Sequence, residues 1–375
     1  MKIKSISFKN TFQEWEYSSI SFSNLTLLVG ISGAGKTQIL ESIGALKKIA
    51  NGSSIRGIEW RIEFETNKTE NFIWEGKFEN LKDRDDEIDF ILEEYESNPN
   101  APLIVYEKLI RNDKELIIRE NGNIIYNGNQ MPKLAPNQSV LHILRAESNI
   151  KNAHNGFQLI VMRDYTAKEG IHYILDMVKL KKKFKKIEQI QESDIPSIYK
   201  LAIVAEGFPL IFDKIKLSFQ SVFPQVTDVN VEAIDEDNTP SPFYKTPMIK
   251  IREKGVKKWI NQNRMSSGML RTFMHISEML LWKEGAVILI DEFENSLGVN
   301  CINVLIDDLI ESTNKIQFIA TSHHPYIINK IPYDYWKIVS RKGGKISVND
   351  ANQFNLGESN QEKFISLVNL LQYQN

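Results

Sequence analysis

The chain has 375 residues, of which 42% are hydrophobic and 25% are charged. This balance is typical of soluble globular proteins, and it excludes disorder over most of the chain because such a sequence can bury a large core. The 46 basic and 48 acidic residues nearly cancel, which excludes a uniformly basic nucleic-acid-binding surface but leaves room for a local basic patch.

The N-terminal residues, MKIKSISFKN, alternate charged and apolar side chains and contain no apolar core of a signal peptide. No run approaches the roughly 18 apolar residues that a membrane-spanning helix needs. Cys301 is the one cysteine, which excludes a disulfide framework and a multi-cysteine metal site. These features predict a cytoplasmic protein that does not bind membranes.

The first 50 residues predict strands followed by a helix. Leu25–Val29 is a short apolar run that ends at a glycine, which is typical of a strand buried on both faces. Apolar residues recur at helical spacing from Ile39 to Ile49 and predict a helix that stops at Asn51-Gly52.

The middle of the chain predicts a β-rich lobe and then a helical segment. Residues 57–80 and 102–129 alternate with period two, and the second stretch contains two Asn-Gly hairpin signals, at 121–122 and 127–128. Between them, the acidic residues 83–96 are typical of a solvated helix face or an insertion. Residues 150–222 are helical in pattern, with few Gly or Pro residues.

The C-terminal part alternates strands and helices, which favours a parallel, doubly wound sheet. After short strands, the pattern predicts a helix from Met269, a buried strand at 287–290, a helix at 299–310, a strand at 316–321 and a C-terminal helix around 364–371. The predicted fold class is therefore α/β.

Residues 30–37, GISGAGKT, match the phosphate-binding loop G-x-x-x-x-G-K-[ST]. The match follows a predicted buried strand and opens a helix, as the motif requires. Its backbone N–H groups and the helix N-terminus would hold the phosphates of ATP, Lys36 would reach the β- and γ-phosphates, and the Thr37 hydroxyl would ligate Mg²⁺. The candidate nucleotide-binding residues are Gly30, Ser32, Gly33, Ala34, Gly35, Lys36, Thr37 and Gln38.

The buried strand at 287–290 ends in Asp291 and Glu292. Beside a phosphate loop, Asp291 would hold Mg²⁺ directly or through water, and Glu292 would accept a proton from the attacking water. The strand at 316–321 leads into Ser322-His323, where the histidine could sense the γ-phosphate; a structural role for His323 is the alternative.

Two further segments each have a plain and a functional interpretation. Ser266 and Gly268 begin the helix that leads to the acidic strand, either as a simple N-cap or as an anion site for a nucleotide bound elsewhere. Six lysines lie between residues 179 and 186, which is typical of a solvated helix flank but also of a contact to a nucleic-acid backbone.

In this order, the phosphate loop, Ser-Ser-Gly-Met, Asp-Glu and Ser-His resemble the heads of ABC-type ATPases. The chain is most similar to the RecF and OLD-like branch of AAA-family ATP-binding proteins and its SMC relatives. Residues 291–297, DEFENSL, look like the acidic strand and D-loop of that branch, and 321–326, TSHHPY, look like its histidine-switch strand. The resemblance covers roughly residues 1–50 and 245–340.

The resemblance implies a P-loop ATPase head that forms a homo-oligomer, at least a head-to-tail dimer, with ATP between the heads. Ser266 and Gly268 would contact the γ-phosphate bound by the other subunit. Ser296 and Leu297 would lie in the D-loop, and His323 would be the switch histidine. The signature departs from the family pattern at 267, which is Ser instead of Gly, and at 269, which is Met instead of Gln. The Mg²⁺-ligating glutamine of the family is not placed; Gln158 is one candidate.

The predicted domains are an N-terminal ATPase lobe (1–148), an inserted helical arm (149–222) and a C-terminal ATPase lobe (223–375). About 50 residues follow His323, too few for the Toprim nuclease of many OLD-like proteins. We therefore expect an ATPase that regulates a separately encoded effector such as a nuclease, in bacterial anti-phage defence. The alternative is a RecF-like DNA-binding ATPase in repair, which the lysines at 179–186 favour.

Overall fold

The structure is a computed structural model, and the part described here comprises residues 1–66, 70–80, 101–163, 177–193, 195–235, 245–295, 297–354, 362 and 366. The acidic segment predicted at 83–96 and the C-terminal helix predicted around 364–371 therefore lie outside the described residues. Within the described part, no helix is both long enough and apolar enough to cross a bilayer.

The strands, in chain order, are β1 Lys2–Asn10, β2 Trp15–Ser21, β3 Leu25–Val29, β4 Ile58–Glu65, β5 Asn71–Phe78, β6 Ile104–Arg111, β7 Lys114–Glu120, β8 Asn123–Tyr126, β9 Asn129–Gln130, β10 Ile160–Arg163, β11 Val226–Asp235, β12 Lys245–Glu253, β13 Ile260–Asn261, β14 Val287–Ile290, β15 Gln317–Ser322, β16 Trp336–Lys342 and β17 Lys345–Asp350. The helices are α1 Lys36–Ala50, α2 Val140–Ile143, α3 Lys151–Gln158, α4 Met177–Lys183, α5 Ile187–Gln191, α6 Ser197–Gly207, α7 Pro209–Val222, α8 Ser267–Leu281, α9 Val299–Ser312 and α10 Pro325–Lys330.

One large sheet carries both a parallel core and an antiparallel lobe. In the described residues its strand order is β10-β14-β15-β3-β16-β17-β2-β1-β4-β5-β6-β7-β8-β9. The pairs from β10 to β16 are all parallel, whereas those from β1 to β9 are antiparallel. The strand before the phosphate loop and the strand before Asp291 therefore belong to one sheet although they lie far apart in sequence. This confirms the predicted α/β class.

The chain forms two compact units. The first comprises Met1–Arg163, Gly285–Phe293 and Thr313–Asn375, and the second comprises Asp164–Glu284 and Glu294–Ser312. The large sheet belongs to the first unit. The second unit contains α4 to α9 together with a small antiparallel sheet of order β11-β12-β13.

A buried glutamine fixes the register between the N-terminus and the parallel core. The Gln317 side chain accepts a hydrogen bond from the backbone N–H of Ile3 (2.7 Å) and donates to the carbonyls of Ile3 (2.8 Å) and Ser23 (2.9 Å). These bonds satisfy the polar atoms of a side chain that is almost fully buried, which is the condition for placing an amide in a core. They hold β15 against the chain that leads into β3.

The Asn-Gly signals behave as predicted, and one strand differs from the predicted pattern. Both Asn-Gly pairs lie in hairpin turns with positive φ at each residue, after β7 and after β8. Within the segment predicted to be helical, however, Ile160–Arg163 is a strand that pairs in parallel with β14. Its three apolar residues, at 160–162, are too few to show a helical or an alternating periodicity, so the neighbouring strand decides their conformation.

Candidate functional site

The loop between β3 and α1 needs glycine for two different reasons. Gly33 and Gly35 have φ values of +83° and +97°, a region that costs other residues energy. A Cβ at Gly30 would lie 2.4 Å from the carbonyl oxygen of Val339, and one at Gly35 would lie 2.5 Å from the Ile346 side chain. The loop therefore packs tightly against β16 and β17. We call this loop, residues 30–35, the glycine cradle.

The N-terminus of α1 points its backbone donors at this cradle. No side chain caps the helix at Gly35, and the first turn contains no acidic residue. The first N–H groups of a helix have no partners within the helix and carry partial positive charge. Such an end favours an anion, so the loop and helix together fit a phosphate group.

Lys36 is the first residue of α1, and its side chain turns back over the loop. Its Nζ donates to the carbonyl oxygens of Gly30 and Ile31, both at 2.9 Å. The ammonium group is thus held at the loop by neutral acceptors, where its charge adds to that of the helix N-terminus.

Thr37, Asp291 and Thr321 form a hydrogen-bonded cluster at the carboxyl edge of the parallel strands. The Thr37 hydroxyl donates to the Asp291 carboxylate, 2.9 Å from Oδ2 and 3.2 Å from Oδ1. The Thr321 hydroxyl donates to Oδ1 of Asp291 at 2.6 Å and accepts from the backbone N–H of Glu292 at 2.8 Å. One threonine of β15 therefore orients both acidic residues.

The oxygen atoms of this cluster suit a hard divalent cation. Mg²⁺ prefers carboxylate and hydroxyl oxygens and is usually bound by few protein groups, as Thr37 and Asp291 would provide. Glu41 on α1 adds negative charge: its pKa is raised, first by partial burial and second by the charge of Asp291. Two carboxylates that repel each other favour a cation between or beside them. The residues present therefore fit Mg²⁺.

Glu292 follows the cluster in a special conformation. Its φ is +46°, which is uncommon for a residue with a side chain, and the residue is exposed. The backbone N–H bond to Thr321 stabilises this geometry. A carboxylate on such a turn, next to the cluster, is accessible to water.

The two histidines after β15 have different environments. Ser322 of β15 pairs with Val29 of β3, so His323 follows at the same sheet edge as Gly30. The His323 side chain is exposed. His324 instead caps α10, because its Nδ1 accepts from the backbone N–H of Tyr326 at 3.2 Å. A structural role fits His324, which leaves His323 as the functional candidate.

Ser266 and Gly268 belong to the second compact unit, at the start of α8. The Ser266 side chain accepts from the backbone N–H of Met269 at 3.2 Å and is the N-cap of the helix. The Gly268 carbonyl accepts from the Thr272 hydroxyl at 2.7 Å. Within the same unit, Arg271 donates to the carbonyl of Asn295, which ties α8 to the predicted D-loop. Ser296 lies outside the described residues, and Leu297 is half-buried.

Comparison with protein-family models gives a match over residues 25–329 to the family described as "AAA domain, putative AbiEii toxin, Type IV TA system". The match covers most of the chain and spans both the phosphate loop and the Asp-Glu strand. The chain belongs to this AAA family. A search of curated proteins finds no significant match.

Solved structures of SMC heads are similar to this AAA-family chain. The Pyrococcus furiosus Smc head with an extended coiled coil, bound to the C-terminal domain of ScpA, matches with 15% identity and a TM-score of 0.50, over 94% of this chain and 97% of that one. An SmcHead bound to the C-winged helix domain of ScpA has 17% identity and a TM-score of 0.49, over 93% and 97%. The Thermotoga maritima SMC head matches with 14% identity and a TM-score of 0.43, over 93% of this chain and 99% of that one. The first of these likenesses shows the fold, which is that of an ABC-type P-loop ATPase head.

The β16–β17 hairpin of this AAA-family chain brings a residue that the sequence analysis missed. Arg341 donates from Nη1 to the side-chain oxygen of Gln38 at 2.8 Å and from Nε to the carbonyl of Gly343 at 2.7 Å. Its Nη2 has no acceptor among the described residues. Gln38 directly follows the phosphate loop, so a guanidinium group lies next to it. The Gly343-Gly344 dipeptide was the available signal for this hairpin.

Gln158 lies at the wrong edge of the sheet for a ligand of Mg²⁺. It is the last residue of α3, just before β10, and its amide donates to the Asn51 side chain at 2.7 Å. β10 runs parallel to β14, so the end near Asp291 is its carboxyl end, where the Asp291 N–H faces the Arg163 carbonyl. Gln158 is therefore not a counterpart of the family's glutamine.

The lysine block of this AAA-family chain lies on and after α4, in the second unit. Lys181 pairs with Glu206 at 2.5 Å. The other five members are exposed: Lys179, Lys182, Lys183, Lys185 and Lys186. The block thus presents positive charge to solvent, although one member is neutralised within the chain.

Proposed function

We propose that this chain binds ATP with Mg²⁺ and hydrolyses it to ADP and phosphate. The observation that carries the proposal is the Thr37–Asp291–Thr321 cluster, which lies beside the glycine cradle and Lys36. Calorimetric titration of the purified chain with a slowly hydrolysed ATP analogue tests it. We expect binding in the presence of Mg²⁺ and much weaker binding in EDTA; equal binding in both conditions would contradict the role of the cluster.

The residues would divide the work as follows. The loop N–H groups and Lys36 hold and neutralise the phosphates, while Thr37 and Asp291 hold Mg²⁺, which supplies positive charge to the phosphate oxygens when bound. Glu292 accepts the proton of the attacking water, and His323 contacts the γ-phosphate. Positioning and charge stabilisation supply most of the rate in such reactions.

Thr321 is expected to act as a positioning residue for both acids. Thr321→Val removes the donor to Asp291 and the acceptor for the Glu292 N–H while it keeps the shape of the side chain. Because each lost hydrogen bond costs about 0.5–1.5 kcal/mol, we expect kcat to fall about tenfold or more. Thr321→Ser keeps the hydroxyl and is the matched control. If the valine and serine variants have equal kcat, the Thr321 hydroxyl does not position the two acids for catalysis.

Arg341 is expected to strengthen nucleotide binding. A hydrogen bond from a charged group contributes about 1.5–3 kcal/mol, so Arg341→Ala should weaken ATP binding by about tenfold or more, with less effect on kcat. Arg341→Lys keeps the charge but loses the fork of donors, and it should give an intermediate affinity. Lys342→Ala, which removes an exposed positive charge one residue away, is the control. If Arg341→Ala binds ATP with wild-type affinity, Arg341 does not contact the nucleotide.

We expect two or more heads to assemble around the nucleotide, with Ser266 and Gly268 of one subunit completing the site of another. The exposed N-cap at Ser266 supports this, because a helix start can bind the γ-phosphate of a neighbour. Light scattering with and without ATP tests the assembly. A nucleotide-dependent increase in mass that Ser266→Arg abolishes is the expected result, and an unchanged mass would contradict it.

The proposed biological role is regulation of a separately encoded effector, such as a nuclease, in bacterial defence against phage. The matching family is described as an "AAA domain, putative AbiEii toxin, Type IV TA system", which supports a role in such a defence or toxin–antitoxin system. The SMC heads that share the fold were solved with a separate protein, ScpA, bound. Purification with the product of a neighbouring gene, and phage plating with and without both genes, test this role.

The exposed lysines of residues 179–186 support one alternative function, a RecF-like ATPase that binds DNA in repair. Several lysines that contact phosphates give binding that falls steeply with salt concentration. DNA-stimulated hydrolysis that is lost when Lys182, Lys183, Lys185 and Lys186 are replaced by glutamine would support DNA binding. Hydrolysis that ignores DNA, together with a stable effector complex in the same variant, would favour the defence role.

A further inference from the structure

Helix α7 in the second unit exposes two leucines far more than is usual. Leu210 is 80% exposed and Leu217 is 67% exposed, whereas the other exposed large hydrophobic residues in the described part of the chain do not exceed 47%. The opposite side of α7 is buried through Phe212, Ile215, Phe219 and Val222. The two leucines are therefore not needed for the fold of the unit, and water contact with them is unfavourable.

The two leucines lie on one face with a pair of opposite charges between them. At 100° per residue, positions 210, 213, 214 and 217 fall within a stripe about 100° wide. Asp213 and Lys214 occupy the middle of this stripe, and both are exposed. The face thus reads Leu, Asp, Lys, Leu along the helix.

This order is complementary to itself in an antiparallel pair of helices. A two-fold axis between residues 213 and 214 places Leu210 opposite Leu217 of the second copy, and Asp213 opposite Lys214. The leucine contact and the ion pair then each form twice, as a symmetric interface requires. A parallel pairing would instead put like charges opposite each other. We infer that α7 is a contact surface for a second copy of this chain, in antiparallel orientation.

The charges within one chain leave this contact open. Lys216 pairs with Oδ1 of Asp213 at 3.2 Å and lies 3.8 Å from Asp228, so the Asp213 carboxylate keeps its second oxygen for a partner. Lys214 makes no ion pair within the described residues. In the antiparallel pair, Lys214 would form an ion pair with Asp213 of the second copy.

The contact is small and independent of nucleotide. One helix pair buries less than the roughly 1,200 Å² of a stable interface, so we expect weak association that adds to other contacts between the same two chains. It uses none of the residues of the proposed ATP site. It can therefore be tested, and can fail, separately from the proposed function.

Covalent trapping of the full chain tests the geometry. In an antiparallel pair with axes about 8–10 Å apart, facing Cα atoms come within the roughly 7 Å that a disulfide allows. Two copies of residue 210 are about 10.5 Å apart along the axis, and so are residues 210 and 217 of one chain. The Leu210→Cys/Leu217→Cys variant should therefore form a disulfide-linked dimer on mild oxidation without ATP, whereas either single variant should not. The native Cys301 is buried and gives little background.

Charge reversal in the double-cysteine background tests the pairing of Asp213 with Lys214. Lys214→Asp puts two aspartates opposite each other and should reduce the dimer several-fold. Adding Asp213→Lys to it restores opposite charges across the axis and should restore the dimer. Lys36→Ala should leave the yield unchanged, since nucleotide is not involved. A double-cysteine variant that forms no more dimer than the two single variants, or a charge swap that fails to restore it, would overturn the inference.

Discussion

Replacing Glu292 by glutamine is expected to reduce ATP turnover by about 10²- to 10⁴-fold while ATP binding remains. A general base contributes rate in that range, and glutamine keeps the shape and hydrogen-bonding ability of the side chain but cannot accept the proton. The backbone bond from Glu292 to Thr321 does not involve the carboxylate, so the turn should survive. The measurements are steady-state phosphate release and equilibrium binding of ATP.

The control for this variant is Glu59→Gln. Glu59 is an exposed glutamate of the antiparallel lobe, and its carboxylate lies 3.2 Å from the Lys77 ammonium group. This substitution should leave turnover unchanged. Because bound ATP persists when hydrolysis is slow, the Glu292→Gln chain should also accumulate the nucleotide-bound assembly in light scattering. If this variant turns over ATP at the wild-type rate, Glu292 is not the general base, whatever the oligomeric state.

Replacing Lys36 by alanine is expected to have the second large effect, on binding itself. In the structure this ammonium lies against the loop carbonyls of Gly30 and Ile31, where its partner would be a phosphate. Truncating one member of a buried charge pair costs about 2–5 kcal/mol, which corresponds to an affinity loss between about 30-fold and about 5,000-fold. Calorimetry with ATP and Mg²⁺ measures it.

Lys48→Ala is the matched control, since Lys48 is an exposed lysine at the other end of the same helix. It should bind ATP like the wild type, which separates loss of one positive charge from loss of the contact. Circular dichroism should show the same helix content in both variants. If Lys36→Ala binds ATP as tightly as Lys48→Ala does, the loop is not the phosphate site.

The sequence predicted the elements of the site whose signal is local. Adjacent residues specify the phosphate loop with its glycines and lysine, the helix that follows this loop, and the apolar strand before Asp291. The alternation of strands and helices then places the two motifs at one edge of a parallel sheet. For this reason the contact between Thr37 and Asp291, which are 254 positions apart, follows from the pattern.

Contacts set by tertiary packing were not predictable in the same way. Strand β10 has three apolar residues and an arginine, and its conformation depends on β14. The two hydroxyl contacts of Thr321 depend on the register of β15. The fit of Gly30 and Gly35 against β16 and β17 comes from a hairpin more than 300 residues away, so it is invisible in the motif itself. Arg341 was missed for the same reason.

The division of the chain into three domains remains a prediction. The predicted boundaries at 148 and 222 follow changes in sequence pattern, whereas compactness groups 164–284 with 294–312. The segment 285–293, which carries Asp291 and Glu292, belongs to the first unit between two stretches of the second. Local periodicity does not report such interleaving, because it reflects single elements and not their packing.

The most direct test of the proposed ATPase is phosphate release by the purified full-length chain in ATP and Mg²⁺, measured beside Lys36→Ala purified in the same way. The wild type should release phosphate at a rate that saturates with ATP and stops on addition of EDTA, and Lys36→Ala should release none above background. Equal release by both chains, or none by the wild type while it binds ATP, would contradict hydrolysis at this site.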